Sequence, residues 1–426
     1  MRNRFFIFII CLIFISIGNA ASCYMNEESL KISTSEELIA FAESVNGGNS
    51  YCGKIIKLSS DIWLNDTTGW KKWDRKTKMS VWTPIGNKKA PFEGIFDGGG
   101  HSIFGLFIKA SPENFYQGLF GCLQRATVKD IHIRFSHIIA YNFVGAIAGY
   151  ISFNSLIINC SNEALVVADR NCVGGLVGFS EGQNRIIACS NYARIYGHRC
   201  VGGIVGYFEG GSIYNSFNRG EIAGKYEHIG GIVGEYSEPY QKTVKYTGLH
   251  SLPNDTLANC YNTGKIIGRD AVAGIAGHIC LYPVEKTTWK VLFANNYNAG
   301  GIWSSYPIVT DGLVGVYAYF TDSQELLIPT INRIERDGNA CYWNEESCKV
   351  TSIEKPRFES DKISSGAWSE VCYGMMKIPK SFRYFRSDEM RQQSFIDLLN
   401  EWVDKKDVFS KWSLDKEKIN QGFPVF

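Results

Sequence analysis

The chain has 426 residues, which is enough for two or three ordinary domains or for one elongated domain. Its 44 Lys and Arg residues nearly balance its 42 Asp and Glu residues, so net charge gives no support for a surface that binds nucleic acid. Apolar residues make up 45% of the chain, which excludes an intrinsically disordered protein. The 43 glycines disfavour a coiled coil or helical bundle and favour β structure with many turns.

The N-terminus has the features of a secretory signal peptide. Two arginines precede an apolar run, Phe5–Ile17, and a small residue, Ala20, stands at the expected cleavage point. The run is shorter than the roughly 20 residues that a membrane span needs. We therefore predict that residues 1–20 are removed and that the mature protein is secreted or held at the cell surface. The residues before Cys23 resemble an incomplete lipoprotein box, so a lipid anchor at Cys23 is an alternative to release.

Residues 21–91 form a predicted N-terminal capping region with one helix. Thr34 followed three residues later by Glu37 is typical of a capping box, and Gly47-Gly48 ends the helix. A strand is expected around Lys54–Leu58. The apolar positions of this helix follow a helical spacing: Leu38, Ile39, Phe41 and Val45.

A repeat organises residues 92–344. A motif of the form Val-Gly-Gly-Leu-Val-Gly recurs 28 or 29 residues apart up to Gly234, and then at gaps of 43 and 38 residues, which indicates insertions. One insertion is expected within Glu238–Pro253. The closing glycines are Gly121, Gly149, Gly178, Gly206, Gly234, Gly277 and Gly315. Each of five of these motifs is followed by a polar cluster that ends in an asparagine: Asn162, Asn191, Asn218, Asn262 and Asn298.

This repeat predicts an all-β parallel β-helix, or β-solenoid, of about seven coils with small helical caps at both ends. One copy cannot bury its own apolar face, whereas stacked copies bury a continuous core. Each period is expected to hold two or three strands of four to six residues. The register places Val177, Val205 and Val233 in one vertical file, and it predicts a ladder of amide hydrogen bonds between the asparagines. A β-propeller, with about 40 residues per blade, is the alternative fold.

Residues 345–426 form a predicted C-terminal capping region with one helix, Asp388–Val403, whose apolar side contains Met390, Phe395, Leu398, Leu399 and Trp402. Among the cysteines, Cys160, Cys189 and Cys260 occupy equivalent repeat positions, which is typical of small core residues. Cys341 and Cys348 are near enough in sequence to close a small loop through a disulfide.

The repeats resemble the GLUG motif of bacterial, Bacteroides-type surface and secreted proteins. Gly118–Gly121 and Gly175–Gly178 match the Gly-Leu-hydrophobic-Gly core directly. The segments Trp82–Ile103 and Ile419–Val425 are similar to the opening and the ending of such proteins. The resemblance implies an adhesin-like β-solenoid without an assigned reaction. GLUG repeats also accompany zinc peptidases that carry His-Glu-x-x-His, and that pattern does not occur among the seven histidines of this chain.

Candidate catalytic residues are few. The histidines are dispersed along the chain, so the sequence predicts no metal site and no cofactor. Asp97 lies in the glycine-rich segment Phe96–Gly100 and Asp130 lies one coil later, which raises the possibility of a carboxylate pair. We interpret the segment as a tight turn that enters the first full coil. The repeated asparagines are interpreted as structural.

The candidate ligand-binding residues are three tryptophans and the basic residues between them. Indole rings close to cations are typical of surfaces that stack on sugars or bind anions. The alternative is that these tryptophans pack the cap over the first coil. The loops Glu238–Pro253 and Tyr282–Trp289 are further candidates for binding. The predicted site consists of Trp70, Lys72, Trp73, Arg75 and Trp82.

The sequence therefore predicts an adhesin-like protein, secreted or on the cell surface, that binds a glycan or an extracellular protein without catalysis. Nucleic acid is not an expected partner, and a membrane is expected only through the lipid anchor. The alternative function is a carbohydrate-active β-helix enzyme, which needs two carboxylates in one groove.

Overall fold

The computed structural model describes residues 29–237, 255–281, 291–305, 310–311, 314–319, 341–344, 382–385, 387–404 and 409–426. The predicted signal peptide 1–20, Cys23 and Cys348 lie outside these ranges. The predicted loops Glu238–Pro253 and Tyr282–Trp289 also lie outside them.

The predicted parallel β-solenoid of about seven coils is confirmed. One coil runs through four strands, each on a different sheet: Val177–Ile187, Ser190–Asn191, Ile195–Gly197 and Val201–Gly202. The chain then returns to the first sheet in the next coil, where Val205 pairs with Val177. The expectation of two or three strands per period was wrong, because the corner segments are themselves short strands of two or three residues.

Over the described residues, the four sheets have fourteen, ten, seven and five strands. The strands of the first sheet all pair in parallel, and this sheet carries the motif valines. Its strands are Ser29–Ile32, Ile55–Leu58, Ile95–Asp97, Phe120–Gln124, Thr127–Lys129, Ala148–Ser152, Leu156–Ile158, Val177–Ile187, Val205–Tyr214, Val233–Ser237, Asp255–Ala258, Ala276–Leu281, Val291–Ala294 and Val314–Tyr319.

The second sheet has ten strands and carries the repeated asparagines. Its strands are Ile62–Trp63, Ser102–Phe104, His132–Arg134, Ser161–Asn162, Ser190–Asn191, Phe217–Asn218, Tyr261–Asn262, Asn296–Asn298, Cys341–Asn344 and Phe382–Phe385.

The third and fourth sheets, of seven and five strands, complete the coils. The strands of the third sheet are Phe107–Lys109, His137–Ala140, Leu165–Ala168, Ile195–Gly197, Ile222–Gly224, Ile266–Gly268 and Ile302–Ser304. Those of the fourth are Val173–Gly174, Val201–Gly202, Glu227–Gly230, Asp270–Ala273 and Thr310–Asp311.

The motif residues stack in register and form the core. Val177 pairs with Val205 and Val205 with Val233, and all three side chains are fully buried, so the predicted vertical file is confirmed. Burial of such aliphatic side chains contributes about 1.5–3 kcal/mol each, which makes the file a large part of the stability of the stack. Cys160, Cys189 and Cys260 are buried in the core, as their repeat position predicted.

The predicted asparagine ladder is confirmed over five coils. Each fully buried amide donates from Nδ2 to the Oδ1 of the asparagine one coil up, at distances of 2.8, 2.7, 2.7 and 2.8 Å. The same amides bond backbone groups two residues on, so each asparagine also fixes the bend of its own coil. The ladder therefore sets both the local bend and the register between coils.

The second glycine of the repeat motif packs directly against this ladder. A Cβ added to Gly203 would lie 2.1 Å from the carbonyl oxygen of Gly231 and 2.6 Å from Cγ of Asn218. Since real Cβ atoms do not approach so closely, only glycine fits here. The asparagine side chain therefore needs the space that the second glycine of the motif leaves beside it.

The predicted N-terminal helix is present as Ser35–Asn46, with a capping box between Thr34 and Glu37. It packs over the first coils, where the ring of Phe41 lies 5.7 Å from that of Phe92 in an edge-to-face contact. Ile39, expected on the apolar side, is 44% exposed. A short 3-10 helix, Trp70–Lys72, follows in the loop that crosses the third sheet.

The predicted C-terminal helix Asp388–Val403 forms as two helices, Ser387–Met390 and Gln393–Val403. They pack, with the residues that follow, on the flank of the second sheet, where Tyr261 and Tyr297 stack 5.1 Å apart. Trp412 Nε1 donates to Oδ1 of Asn259 at 2.7 Å. The terminal segment is therefore tied to several coils of the solenoid. No helix in the described part of the chain is long and apolar enough to cross a membrane.

Replacement of Asn218 by alanine tests the ladder. The variant leaves Nδ2 of Asn191 and Oδ1 of Asn262 without their ladder partners, and each buried group left unpaired costs about 1–3 kcal/mol. We expect the free energy of unfolding to fall by about 2–6 kcal/mol, measured by urea denaturation with circular dichroism. Asn171→Ala, at an exposed corner, is the matched control and should change it by less than about 0.5 kcal/mol. Equal effects of the two variants would contradict a structural ladder.

Candidate functional site

The structure divides the five predicted ligand-binding residues into a packed group and a surface group. Trp73 and Trp82 are 6% and 7% exposed, so their ring faces are not available to a ligand. Trp73 packs edge-to-face on Phe107 at 5.5 Å, and Trp82 Nε1 donates to the carbonyl oxygen of Leu119 at 3.1 Å. Both indoles hold the cap on the solenoid, as the alternative interpretation expected.

Arg75 is likewise engaged in packing. Its guanidinium donates to the carbonyl oxygen of Ala110 at 2.8 Å and forms an ion pair with Asp169 at 2.9 Å. Trp70 is half-buried, 6.0 Å from the ring of Phe135, and Lys72 is exposed. Trp70 and Lys72 are therefore the two predicted residues that stay at the surface, and ligand binding there stays a prediction.

A different surface brings more aromatic side chains together. We define the aromatic wall as Phe115, Tyr116, Phe143, Phe179 and Tyr207. Phe115 is 47% exposed, and the other four are half-buried on the outside of successive coils. The wall lies at the corner where the chain passes from the fourth sheet to the first.

The rings of the aromatic wall form a continuous series. Tyr116 stacks on Phe143 at 5.1 Å, Phe143 lies 5.6 Å from Phe179, and Phe179 lies 5.1 Å from Tyr207. These separations are close to the spacing of neighbouring strands, roughly 4.7–4.9 Å, because each ring sits on the next coil. Two neighbouring positions of the repeat supply these rings, one before the motif and one after its closing glycine, and together they form an extended apolar strip.

A groove of about 620 Å³ adjoins the N-terminal end of the wall, at Phe115 and Tyr116. Val81 and Pro84 supply apolar surface, and Phe115 and Tyr116 form the side shared with the wall. Its polar rim includes Lys109, Glu113, Asn114 and Gln117. An apolar floor with a few polar groups at the rim is the usual character of a ligand pocket.

Charged side chains border the wall at Tyr150. Lys88 Nζ lies 3.1 Å from the centre of the Tyr150 ring, and the Tyr150 hydroxyl donates to Glu181. Burial, with a smaller contribution from Glu181, raises the pKa of Tyr150, so the phenol stays neutral. Burial also lowers the pKa of Lys88. This arrangement places one cation and one carboxylate beside an otherwise apolar strip.

The acidic residues singled out in the sequence have structural partners. Asp97 and Asp130 both contact the Lys129 ammonium, at 2.8 and 3.6 Å. Asp97 Oδ1 also accepts from the Gly99 amide at 2.9 Å, which confirms the tight turn at Phe96–Gly100. Both carboxylates thus have the same lysine as an ion-pair partner, and the pair is not arranged as a free acid and base.

Asp255 is the described carboxyl whose pKa is raised most clearly. Burial raises it to about 6, although the Gly211 amide donates to Oδ1 at 2.8 Å. Perturbed carboxyls often mark active sites. Asp255 is only 3% exposed and lies inside the core. Its ionisation therefore changes the stability of the fold and does not act on a ligand.

Replacement of Asp255 by asparagine should stabilise the protein near neutral pH. Below the unfolded-state pKa of about 3.8 the carboxyl is protonated in both states, and its ionisation above about 6 carries the cost of burying charge. The free energy of unfolding of the native chain therefore falls by up to about 3 kcal/mol as the pH rises from about 3.8 through about 6. Asparagine keeps an acceptor for Gly211 and does not ionise.

We expect Asp255→Asn to exceed the native chain in urea resistance at pH 7.5 and to lose most of that advantage at pH 4. Asp130→Asn, at a surface ion pair, is the control. An advantage that does not change with pH would contradict the raised pKa of Asp255.

The structure also brings together a group of possible metal ligands that the sequence analysis missed. Cys200, His228 and Glu235 lie with their ligand atoms within 4.8 Å of one another, and His278 packs against them. Burial would raise the pKa of Glu235, but the imidazoles of His228 and His278 outweigh it and lower the pKa. Burial lowers the pKa of His278, so this imidazole stays neutral.

The sequence carries the signal for both features once its motifs are aligned. The residue after each closing glycine is Tyr150, Phe179, Tyr207, Glu235 and then His278, and these five are paired in register. This column of the aligned repeat predicts an aromatic strip that becomes polar in the later coils.

Comparison of the chain with protein-family models, with curated proteins and with solved structures gave no match in any of the three.

Proposed function

We propose that this protein is a GLUG-type β-solenoid, secreted or held at the cell surface, that binds an extracellular glycan along the aromatic wall without catalysis. The observation that carries the proposal is the series of partly exposed rings on successive coils, which meets the groove at Phe115 and Tyr116. The rigid stack holds the rings in place before the ligand arrives, which lowers the entropic cost of binding.

Glycans fit this surface because their rings have apolar faces and polar edges. The faces pack on aromatic side chains, and the hydroxyls bond to the polar rim of the groove. The alternation of apolar rings with Lys88, Lys109 and Gln117 supports such a ligand. The near-neutral net charge of +2 favours an uncharged or weakly charged polymer over a strongly anionic one.

The alternative, a carbohydrate-active enzyme, has less support. Glycosidases need two carboxyl groups about 5–9.5 Å apart in the substrate groove. Among the described residues that line the groove, Glu113 is the one carboxylate. The secreted location and the GLUG resemblance remain part of the proposal.

Alanine variants of the wall should weaken glycan binding. The full chain is first screened on a glycan array, and the best ligand is then titrated calorimetrically. We expect Tyr116→Ala and Phe179→Ala each to weaken binding at least about tenfold, or about 1.4 kcal/mol, because each removes a stacking ring. Circular dichroism establishes that each variant is folded.

Tyr192→Ala is the matched control, because Tyr192 is 44% exposed on the second sheet, away from the wall. Equal loss in the control and the wall variants would contradict binding at the wall. Binding of an extracellular protein instead of any glycan would contradict the proposed ligand class. Release of shortened sugars from the bound glycan would contradict the non-catalytic assignment.

A further inference from the structure

Three side chains from two successive coils converge beyond the upper end of the aromatic wall. Glu235 Oε2 lies 2.9 Å from His228 Nδ1 and 3.2 Å from Cys200 Sγ. Cys200 Sγ lies 4.0 Å from His228 Nδ1. Ligand atoms on one tetrahedral zinc ion lie roughly 3.3–3.8 Å apart, as follows from Zn–S bonds of about 2.3 Å and Zn–N bonds of about 2.0–2.1 Å. The observed separations need only small side-chain movements to reach that geometry.

The repeat itself creates this convergence. Cys200 and His228 are corner residues with left-handed backbone, φ +50° and +61°, each just before the first motif glycines of its coil. Glu235 and His278 follow closing glycines and are paired in register on the first sheet. The corner position and the position after the closing glycine lie next to each other on the surface of the solenoid. Their side chains therefore meet in these coils.

His278 supplies an independent indication that a ligand is needed. Its side chain is 7% exposed, and Nδ1 lies 3.3 Å from Glu235 Oε1. The other ring nitrogen, Nε2, has no hydrogen-bond partner within the described structure. A buried polar group without a partner is costly, and each such group in a native protein calls for an explanation. Its ring lies 4.2 Å from that of His228, on the same side of the cluster.

We propose that Cys200, His228 and Glu235 bind a divalent transition-metal ion of the zinc class, with His278 as a fourth ligand. A thiolate, two imidazoles and a carboxylate are the ligands that zinc takes, whereas calcium and magnesium prefer oxygen alone. On binding, the metal–sulfur bond forms and the thiol proton of Cys200 is released to solvent. The metal keeps its oxidation state.

Two other interpretations of the cluster lead to different measurements. The first is a metal-free network in which the histidines and the thiol only neutralise Glu235. The second is a disulfide between Cys200 and Cys172, which is the corresponding corner residue one coil earlier. Both thiols are free in this structure.

A bound ion would join three successive coils, those of Cys200, of His228 and Glu235, and of His278. The metal would therefore stabilise the solenoid where the repeat period changes from 28 to 43 residues, between Gly234 and Gly277. Because only the folded chain brings these ligands together, metal binding should raise the melting temperature in a concentration-dependent way.

The experiment uses the full chain, kept reduced with a phosphine and freed of metal with a chelator. Zinc is titrated against a chromophoric competitor, and cobalt(II) is added as a spectroscopic probe. We expect one tight zinc per chain, a higher melting temperature with zinc, and a cobalt spectrum with a thiolate-to-metal charge-transfer band. Cys200→Ser should abolish that band, and His228→Gln should weaken zinc binding at least tenfold.

Cys189→Ala and His132→Gln are matched controls, since they remove a buried thiol and a partly buried imidazole elsewhere in the repeat. Zinc binding and the cobalt band should be retained in both. Absence of stoichiometric zinc binding, or binding that Cys200→Ser and His228→Gln leave unchanged, would overturn the proposal. A Cys172–Cys200 disulfide, found by peptide mapping of the protein purified without reductant, would also overturn it. Circular dichroism of each variant separates loss of the site from loss of the fold.

Discussion

The buried amide ladder, together with the glycines that pack against it, fixes the register of five successive coils. A side-chain amide both donates and accepts, so each asparagine from Asn162 to Asn298 can bond its own bend and the next coil at once. Such a chain of fully buried polar groups is stable only when every member is paired. A slip of one residue would break every link and turn the motif valines outward. The fold depends on this constraint more than on any single apolar contact.

The same register explains why function can lie on the outside of the coils. Once the inner positions are fixed, each outward position repeats at the same place on successive coils and forms a column. One such column holds Phe179 and Tyr207 and continues into Glu235 and His278. The proposed glycan strip and metal cluster therefore need no separate scaffold, since both use the same two neighbouring positions of the repeat.

The sequence predicted the solenoid, the valine file, the ladder and the N-terminal capping box because each follows from a local or strictly periodic pattern. It did not predict the aromatic wall, because the rings come from two positions of the repeat, Tyr116 and Phe143 before the motif and Phe179 and Tyr207 after it, which only the stacking of coils brings together. Trp73 and Trp82 are buried by Phe107 and Leu119, contacts across the chain that local spacing does not reveal. The cluster of Cys200, His228 and Glu235 was missed because its members come from two coils and two positions of the repeat, which local spacing does not bring together.

The most direct test of the stacking register is a pair of cysteine cross-links on the outer face of the first sheet. Arg185 and Ser212 are in register on adjacent coils, so Arg185→Cys with Ser212→Cys places the two Cα atoms about 4.8 Å apart, within disulfide range. Ile187→Cys with Ser212→Cys is offset by two residues, roughly 8 Å, which is beyond that range. Peptide mapping after mild oxidation should find the first cross-link and not the second. A cross-link in the offset pair, or none in the aligned pair, would contradict the register.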